Sequence, residues 1–365
     1  MNLLRVMPAK GMKKTPHLHE VLVLGGGIIG LSIAWRAAQR GLDVAVLERD
    51  AAQAPPRGAS HVAAGMLAPV AEADPSEREV LELGRRSAAL WPAFAAALQD
   101  ASGLDVGYLT CGTLLVAHDR DSAQALERER ELREAMGLAA PRLLGSEARR
   151  REGALAPGVR LALDLADDHA VDPRAVVRAL RAVLTERVRY GAEVVELRGR
   201  EVELDGGEVV RGERIVVAAG AWSGALAGVP VRPVKGQLLR LRDPSGPGLV
   251  ERVLRFEGGY LVPRGDGRYV LGATSEERGF DVGVTAGGAY ELLRDAALVV
   301  PGVLELEIEE LIAGLRPGTP DNAPIVGPHP ELDGVVLATG HHRGGVLMAP
   351  ATAELVVDAL AGVAA

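Results

Sequence analysis

The residues of this sequence best spaced for chemistry are three glycines and a distant acid. Gly25-x-Gly27-x-x-Gly30 follows an apolar stretch, and Glu48 stands 18 residues beyond Gly30. Gly25 permits a tight turn, Gly27 lets backbone amides approach a pyrophosphate, and Gly30 lets a helix pack closely on a strand. Ile28 and Ile29 open that helix, whose N-terminus stabilises phosphate charge. Glu48 is placed to accept hydrogen bonds from an adenosine ribose, and an acid there repels a 2′-phosphate. The fingerprint fits a dinucleotide but does not separate NAD from FAD.

Further signals lie downstream. Val216-Val217-Ala218-Ala219-Gly220-Ala221-Trp222-Ser223 sets an AxGxWS turn after a strand. Gly314-Leu315-Arg316-Pro317-Gly318-Thr319-Pro320-Asp321 precedes Ala338-Thr339-Gly340-His341-His342-Arg343-Gly344-Gly345. Arginine in such a motif can offer two parallel donors to one carboxylate. The eight histidines show no metal-ligand spacing, and a single cysteine, Cys111, excludes CxxC chemistry and an intrachain disulfide. No metal is expected.

Taken in order, GGGIIG, AAGML, VVAAGAWS, PVKGQ, YLVPR, GLRPGTPD and GHHRGGVLMAP resemble the D-amino-acid-oxidase-like family of FAD-dependent oxidoreductases, and within it the glycine oxidase branch of thiamine thiazole biosynthesis. The resemblance runs from His19 to Leu360. It implies FAD buried between two domains and oxidation of a substrate at the carbon bearing its amine. Gly25, Gly27, Gly30 and Glu48 then hold the ADP half, and Val194 meets the adenine through its backbone. Ala63, Ala64, Gly65 and Met66 run beside the flavin, with Ala219, Gly220 and Trp222 also at the cofactor. Gly340 to Gly345, with His342, Arg343 and Gly344, pass the pyrimidine edge. The helix entered through Val346 and Leu347 stabilises negative charge there. Arg316 grips the substrate carboxylate, Tyr260 adds a second bond, and Arg343 completes the catalytic set. Lys235 shapes the crossing between domains. Ser275 stands where relatives carry a bulkier methionine, which implies a wider pocket. Val62 occupies the place of a histidine that attaches FAD covalently in some relatives, so FAD is expected to be noncovalent.

The implied reaction is oxidation of glycine, sarcosine and small D-amino acids. Dioxygen serves as acceptor, and 2-oxo acid, ammonia and peroxide are the products. Implied partners are the amino acid, oxygen, a thiazole synthase and further copies of the chain as a homo-oligomer. The same motifs fit a D-amino acid, sarcosine or proline oxidase or dehydrogenase, or a flavin-binding subunit active only with a partner.

These residues need elements to position them. Glu20–Leu24, Leu31–Arg40 and Asp43–Leu47 read as strand, helix and strand, with Gly41 ending the helix. Helices are expected over Glu77–Leu98, Ser122–Gly137 and Pro173–Arg189. The run ERERELRE within the second reads as a solvated face. Val231–Arg242 and Tyr260–Ala273 alternate as strands of a second sheet. Gly334–Thr339 and a helix over Leu347–Leu360 close the chain. The fold class is therefore α/β: a discontinuous Rossmann-like FAD-binding domain over 17–85, 160–230 and 315–365, and an inserted substrate domain on a mixed or antiparallel sheet over 86–159 and 231–314. Residues 1–16 are expected to be a disordered tail.

Composition bounds the partners. The chain has 365 residues, 48% of them hydrophobic and 25% charged, which suits a packed globular protein. With 41 basic against 49 acidic residues it has no surplus to bind a phosphate backbone, so nucleic acid is excluded as a partner. The most apolar stretch, Val21–Trp35, holds four glycines and is too short for a comfortable span. No signal peptide is read at the start, and a cytoplasmic location is expected.

Overall fold

The computed structural model describes residues 18–54 and 56–362. The expected tail at 1–16 lies outside them. Two eight-stranded sheets organise the chain. The first has a parallel core ordered Val335–Thr339, Val209–Val217, Leu18–Leu24, Val44–Glu48 and Val188–Tyr190. Antiparallel strands join it at Ile325–Pro328 and through the hairpin of Val194–Arg198 with Glu201–Leu204.

Leu18–Leu24 shows why this sheet needs cover on both faces. Val21 and Val23 pack with the helices, against Trp91, Phe94, Val176, Leu180 and Val357. Leu22 and Leu24 point the other way, into Leu197, Val202, Leu204 and Ala227. Continuous apolar runs are the mark of strands buried on both faces. Helices Ile28–Gln39, Arg78–Ser102, Pro173–Val183 and Gly345–Leu360 form the layer on the first face. Trp91 donates its indole N–H to the Leu347 carbonyl at 2.9 Å, tying the second of these helices to the last.

The second sheet runs Glu307–Gly318, Arg232–Arg242, Arg268–Gly272, Gly259–Pro263, Val253–Phe256, Thr113–Ala117, Leu161–Leu165 and Arg142–Leu144. It is antiparallel except where Val253–Phe256 meets Thr113–Ala117. Helix Ala286–Val299 packs Leu292, Ala296 and Val299 into its core. The α/β class and the antiparallel second sheet agree with the expectation from sequence.

Several boundaries differ. The helix expected over Pro173–Arg189 ends at Val183; a 3-10 turn follows, and Val188–Tyr190 is an edge strand beside Val44–Glu48. Arg78–Ser102 packs on the first sheet's helices, so residues 86–102 lie with the FAD-binding part rather than with the inserted part. Leu161–Leu165 pairs within the second sheet, so the return to the first expected at residue 160 comes later in the chain. Tyr260–Ala273 is a hairpin of two strands. ERERELRE is not wholly solvated: Arg133 is 3% exposed.

Candidate functional site

A cavity of about 660 Å³ is lined by residues of both sheets, Glu48 of the first and Arg316 and Tyr260 of the second among them. Beside Glu48 the glycine turn is sterically specified. Gly25 has φ +112°, and a Cβ there would come within 2.4 Å of the Ala218 carbonyl oxygen. A Cβ on Gly30 would come within 2.0 Å of the Gly25 oxygen. Gly30 is thus a packing glycine and, unlike Gly25 to Ile29, does not line the cavity. A Cβ on Gly27 would meet one atom, the Ser60 hydroxyl, at a tight 3.3 Å. The first amides of a helix lack intrahelical acceptors; Ile28 N–H donates to Ser60 Oγ at 2.9 Å.

Glu48 is 9% exposed. Its Oε2 accepts the Gly26 N–H at 2.7 Å and its Oε1 the Asp50 N–H at 2.9 Å. A carboxylate has about four lone-pair sites, so two bonds leave capacity for ribose hydroxyls. Ala192 N–H donates to the Glu48 carbonyl at 2.9 Å and brings Val194 into the same wall. Nearby, the Arg49 guanidinium lies 3.4 Å from the centroid of the Trp222 ring, which walls the cavity with Ala219 and Gly220.

Ala63, Ala64, Gly65 and Met66 also line the cavity. Gly65 is obligatory, since a Cβ would come within 2.0 Å of the Val171 oxygen. Arg264 donates to the Ala64 and Val171 carbonyls at 2.7 and 3.2 Å, and Arg174 and Arg240 donate to the His61 carbonyl at 2.7 and 3.2 Å. Val62 packs over Gly314, whose Cβ would come within 2.8 Å of it. Facing this segment, His342 takes φ +45° and donates its N–H to the Pro317 carbonyl at 2.9 Å. Its Nδ1 is buried without a partner among the described residues. Arg343, Gly344, Gly345, Val346 and Leu347 continue the wall into the last helix. Gly340 lies just outside it.

On the second sheet Arg316 donates to the Thr274 carbonyl at 3.1 Å and the Lys235 carbonyl at 3.4 Å. Burial pushes the Tyr260 phenol above its ordinary pKa, against the pull of the Arg316 charge. Both side chains lie over glycines: Arg316 over Gly236, and Tyr260 over Gly272, its partner across the hairpin. Lys235 is not at the site. It is 1% exposed, and its Nζ pairs with Asp281 at 3.2 Å and Glu276 at 3.6 Å. Ser275 is exposed and does not line this cavity, whereas Ala273 does.

Sequence reasoning missed Glu72, Arg174, Arg178 and Arg181, all in the wall. The arginines repeat at intervals of four and three on Pro173–Val183, a face-sharing spacing visible in the sequence. Glu72 sits in a turn with no such signal.

The cavity suits a long, phosphate-bearing, partly aromatic group. Its glycine turn and helix N-terminus suit a pyrophosphate, Glu48 suits a ribose, and the buried His342 Nδ1 awaits a polar partner. A family model described as FAD dependent oxidoreductase (DAO) matches residues 20–359. The chain is 36% identical over 348 residues to the bifunctional protein ThiO/ThiG of Trichormus variabilis, covering 93% of this chain and 52% of that protein. It thus spans about half the length of the bifunctional relatives it matches. It is 34% identical over 355 residues to glycine oxidase of Geobacillus kaustophilus, covering 94% and 93%. The crystal structure of glycine oxidase from Geobacillus kaustophilus superposes with a TM-score of 0.87 at 32% identity, over 96% of both chains.

Proposed function

The chain belongs to the DAO family of FAD-dependent oxidoreductases, and from that premise we propose a glycine oxidase-type amine oxidase acting on glycine and other small amino acids. The observation that carries the substrate class is the Arg316 and Tyr260 pair in the wall of the cavity that Glu48 also lines. Bound FAD would supply the redox chemistry, accepting a hydride from the substrate carbon and passing the electron pair to dioxygen to give peroxide.

The chain's residues position and stabilise. Gly25, Gly27, Ile28, Ile29 and Glu48 would hold the ADP half, and Val194, Ala219, Gly220 and Trp222 would enclose the adenosine end. Ala63 to Met66 and His342 to Leu347 would flank the ring system, and the start of Gly345–Leu360 would favour negative charge there. Arg316 binds the substrate carboxylate as a fork, Tyr260 adds a donor, and Arg343 closes the wall. The amine reacts neutral, so no side-chain base is required. The imine product hydrolyses to a 2-oxo acid and ammonia. The ThiO/ThiG relatives support a second destination, consumption by a thiazole synthase. No helix among the described residues is long and apolar enough to cross a membrane.

The test is peroxide release by the purified, FAD-loaded chain with glycine, sarcosine, D-alanine and D-proline. Peroxide from glycine is expected. A yellow protein that releases none with any of the four contradicts the reading.

A further inference from the structure

Glu72 lies in the cavity wall with Tyr260 and Arg316, and among the described residues it makes no side-chain hydrogen bond and no ion pair. Its position is held from behind. The carboxylate of Asp168, 1% exposed, accepts the Val70 and Ala71 N–H groups at 3.3 and 2.6 Å. Arg133 donates to the Val70 and Ala71 carbonyls at 2.9 and 2.8 Å. Arg255, which pairs directly with Tyr260 across the hairpin, also donates to the Ala71 carbonyl. Both peptide groups before Glu72 are thereby held by a turn residue, a helix residue and Arg255, whose strand Val253–Phe256 pairs with the one that carries Tyr260. The charge of Glu72 is felt at the Tyr260 phenol, where it opposes ionisation.

Beyond Glu72 the cavity wall is shared with a second chamber of about 40 Å³, lined also by Asp74, Glu77 and Asn322. That volume holds about one to three waters. A substrate group reaching past Glu72 meets the carboxylates of Asp74 and Glu77, with the Arg343 guanidinium the one full positive charge among them, and little room.

We propose that Glu72 is a specificity-determining residue that limits the site to amino acids with a single carboxylate: its charge repels a second acid on the substrate. This rests on the carboxylate site at Arg316 put forward above. Like charges brought together in a partly desolvated site cost up to several kcal/mol, while the first carboxylate stays paired with Arg316.

The test uses non-reacting probes on the FAD-loaded protein: acetate, with one carboxylate, and malonate, with two, titrated by the perturbation of the flavin absorbance. The wild type is expected to bind acetate more tightly than malonate. Glu72→Gln, which keeps the shape and removes the charge, should move the ratio of the two Kd values toward malonate by about tenfold or more. Glycine and D-aspartate provide the same comparison in kcat/KM. Acetate binding with a ratio unchanged within about twofold overturns the role of Glu72 alone. A wild type that binds neither probe overturns the Arg316 site beneath it.

Discussion

The guanidinium of Arg316 lies against the Cα of Gly236: a Cβ at that position would come within 2.5–2.7 Å of Nη1, Nη2 and Cζ. The two residues sit on paired strands, with Gly236 opposite Gly314 and Arg316 opposite Val234. Because the clash is with the end of a flexible side chain, Gly236→Ala should leave the fold intact and displace Arg316. A charge-assisted hydrogen bond contributes about 1.5–3 kcal/mol, so KM for glycine should rise roughly 10- to 150-fold. FAD content by absorbance should not change, and an unaltered KM would separate Gly236 from the site.

Removing the guanidinium itself should do more. Leaving one partner of a buried charge pair alone costs about 2–5 kcal/mol, or roughly 30- to several-thousand-fold. Arg316→Ala is expected to raise KM for glycine by that factor with FAD still bound. An amine without a carboxylate should lose far less. Near-normal KM for glycine in steady-state assays would make Arg316 structural.

Glu48 has two tasks, since its oxygens already hold the Gly26 and Asp50 amides. Glu48→Ala therefore strands two donors as well as removing the ribose acceptor. At about 1–3 kcal/mol for a stranded group, FAD should bind roughly 5- to 150-fold more weakly. Flavin quenching on titrating the apoprotein measures this, and FAD affinity equal to wild type would sink the assignment.

Attachment of the flavin can be tested without mutation. Val62 offers no nucleophile and is packed over Gly314. Acid precipitation should leave the yellow colour in the supernatant; a yellow pellet would show a covalent bond.

Three histidines in the cavity wall predict acid sensitivity. Burial lowers His61, His341 and His342 from 6.5 to about 4, helped at His61 by Arg174 and at His342 by Arg343. Between those values the unfolded chain binds more protons at these three sites than the folded one, so they make stability rise with pH across that window, three sites outweighing the opposite slope of the Asp168 carboxyl, which burial raises to about 7. Their contribution is present above 6.5 and is lost as pH falls through about 4. Thermal melts and flavin release followed over that range should show a falling Tm, and a flat profile would contradict it. His341→Gln should reduce the slope.

The glycine turn could be read from the sequence because its requirements are local: positive φ at Gly25 and close packing at Gly30 leave only one residue type. The Arg316 platform could not, since Gly236 is one of many glycines until an 80-residue separation is closed by strand register. Arg133 misled for a related reason. A charge in a helical run looks solvated until the turn at Val70 and Ala71 is folded against it and its donors find carbonyls. Leu161–Leu165, LALDL, is apolar apart from Asp164 and carries nothing to say which sheet receives it.

The anchoring of Trp91 to Leu347 bears on how the protein is made. The cavity wall needs residues from Gly25 through Leu347, and the helix layer over the first sheet is completed only by Gly345–Leu360. Synthesis from the N-terminus therefore presents the glycine turn and Glu48 long before Arg316 or the His342 turn emerges. A nascent chain can form the first strand, helix and strand but cannot enclose a flavin, and until the last helix docks its indole and Phe94 stay open to unwanted contacts. Capture of the cofactor is thus a late event of biogenesis, and free FAD at that moment acts as a trap for the finished fold.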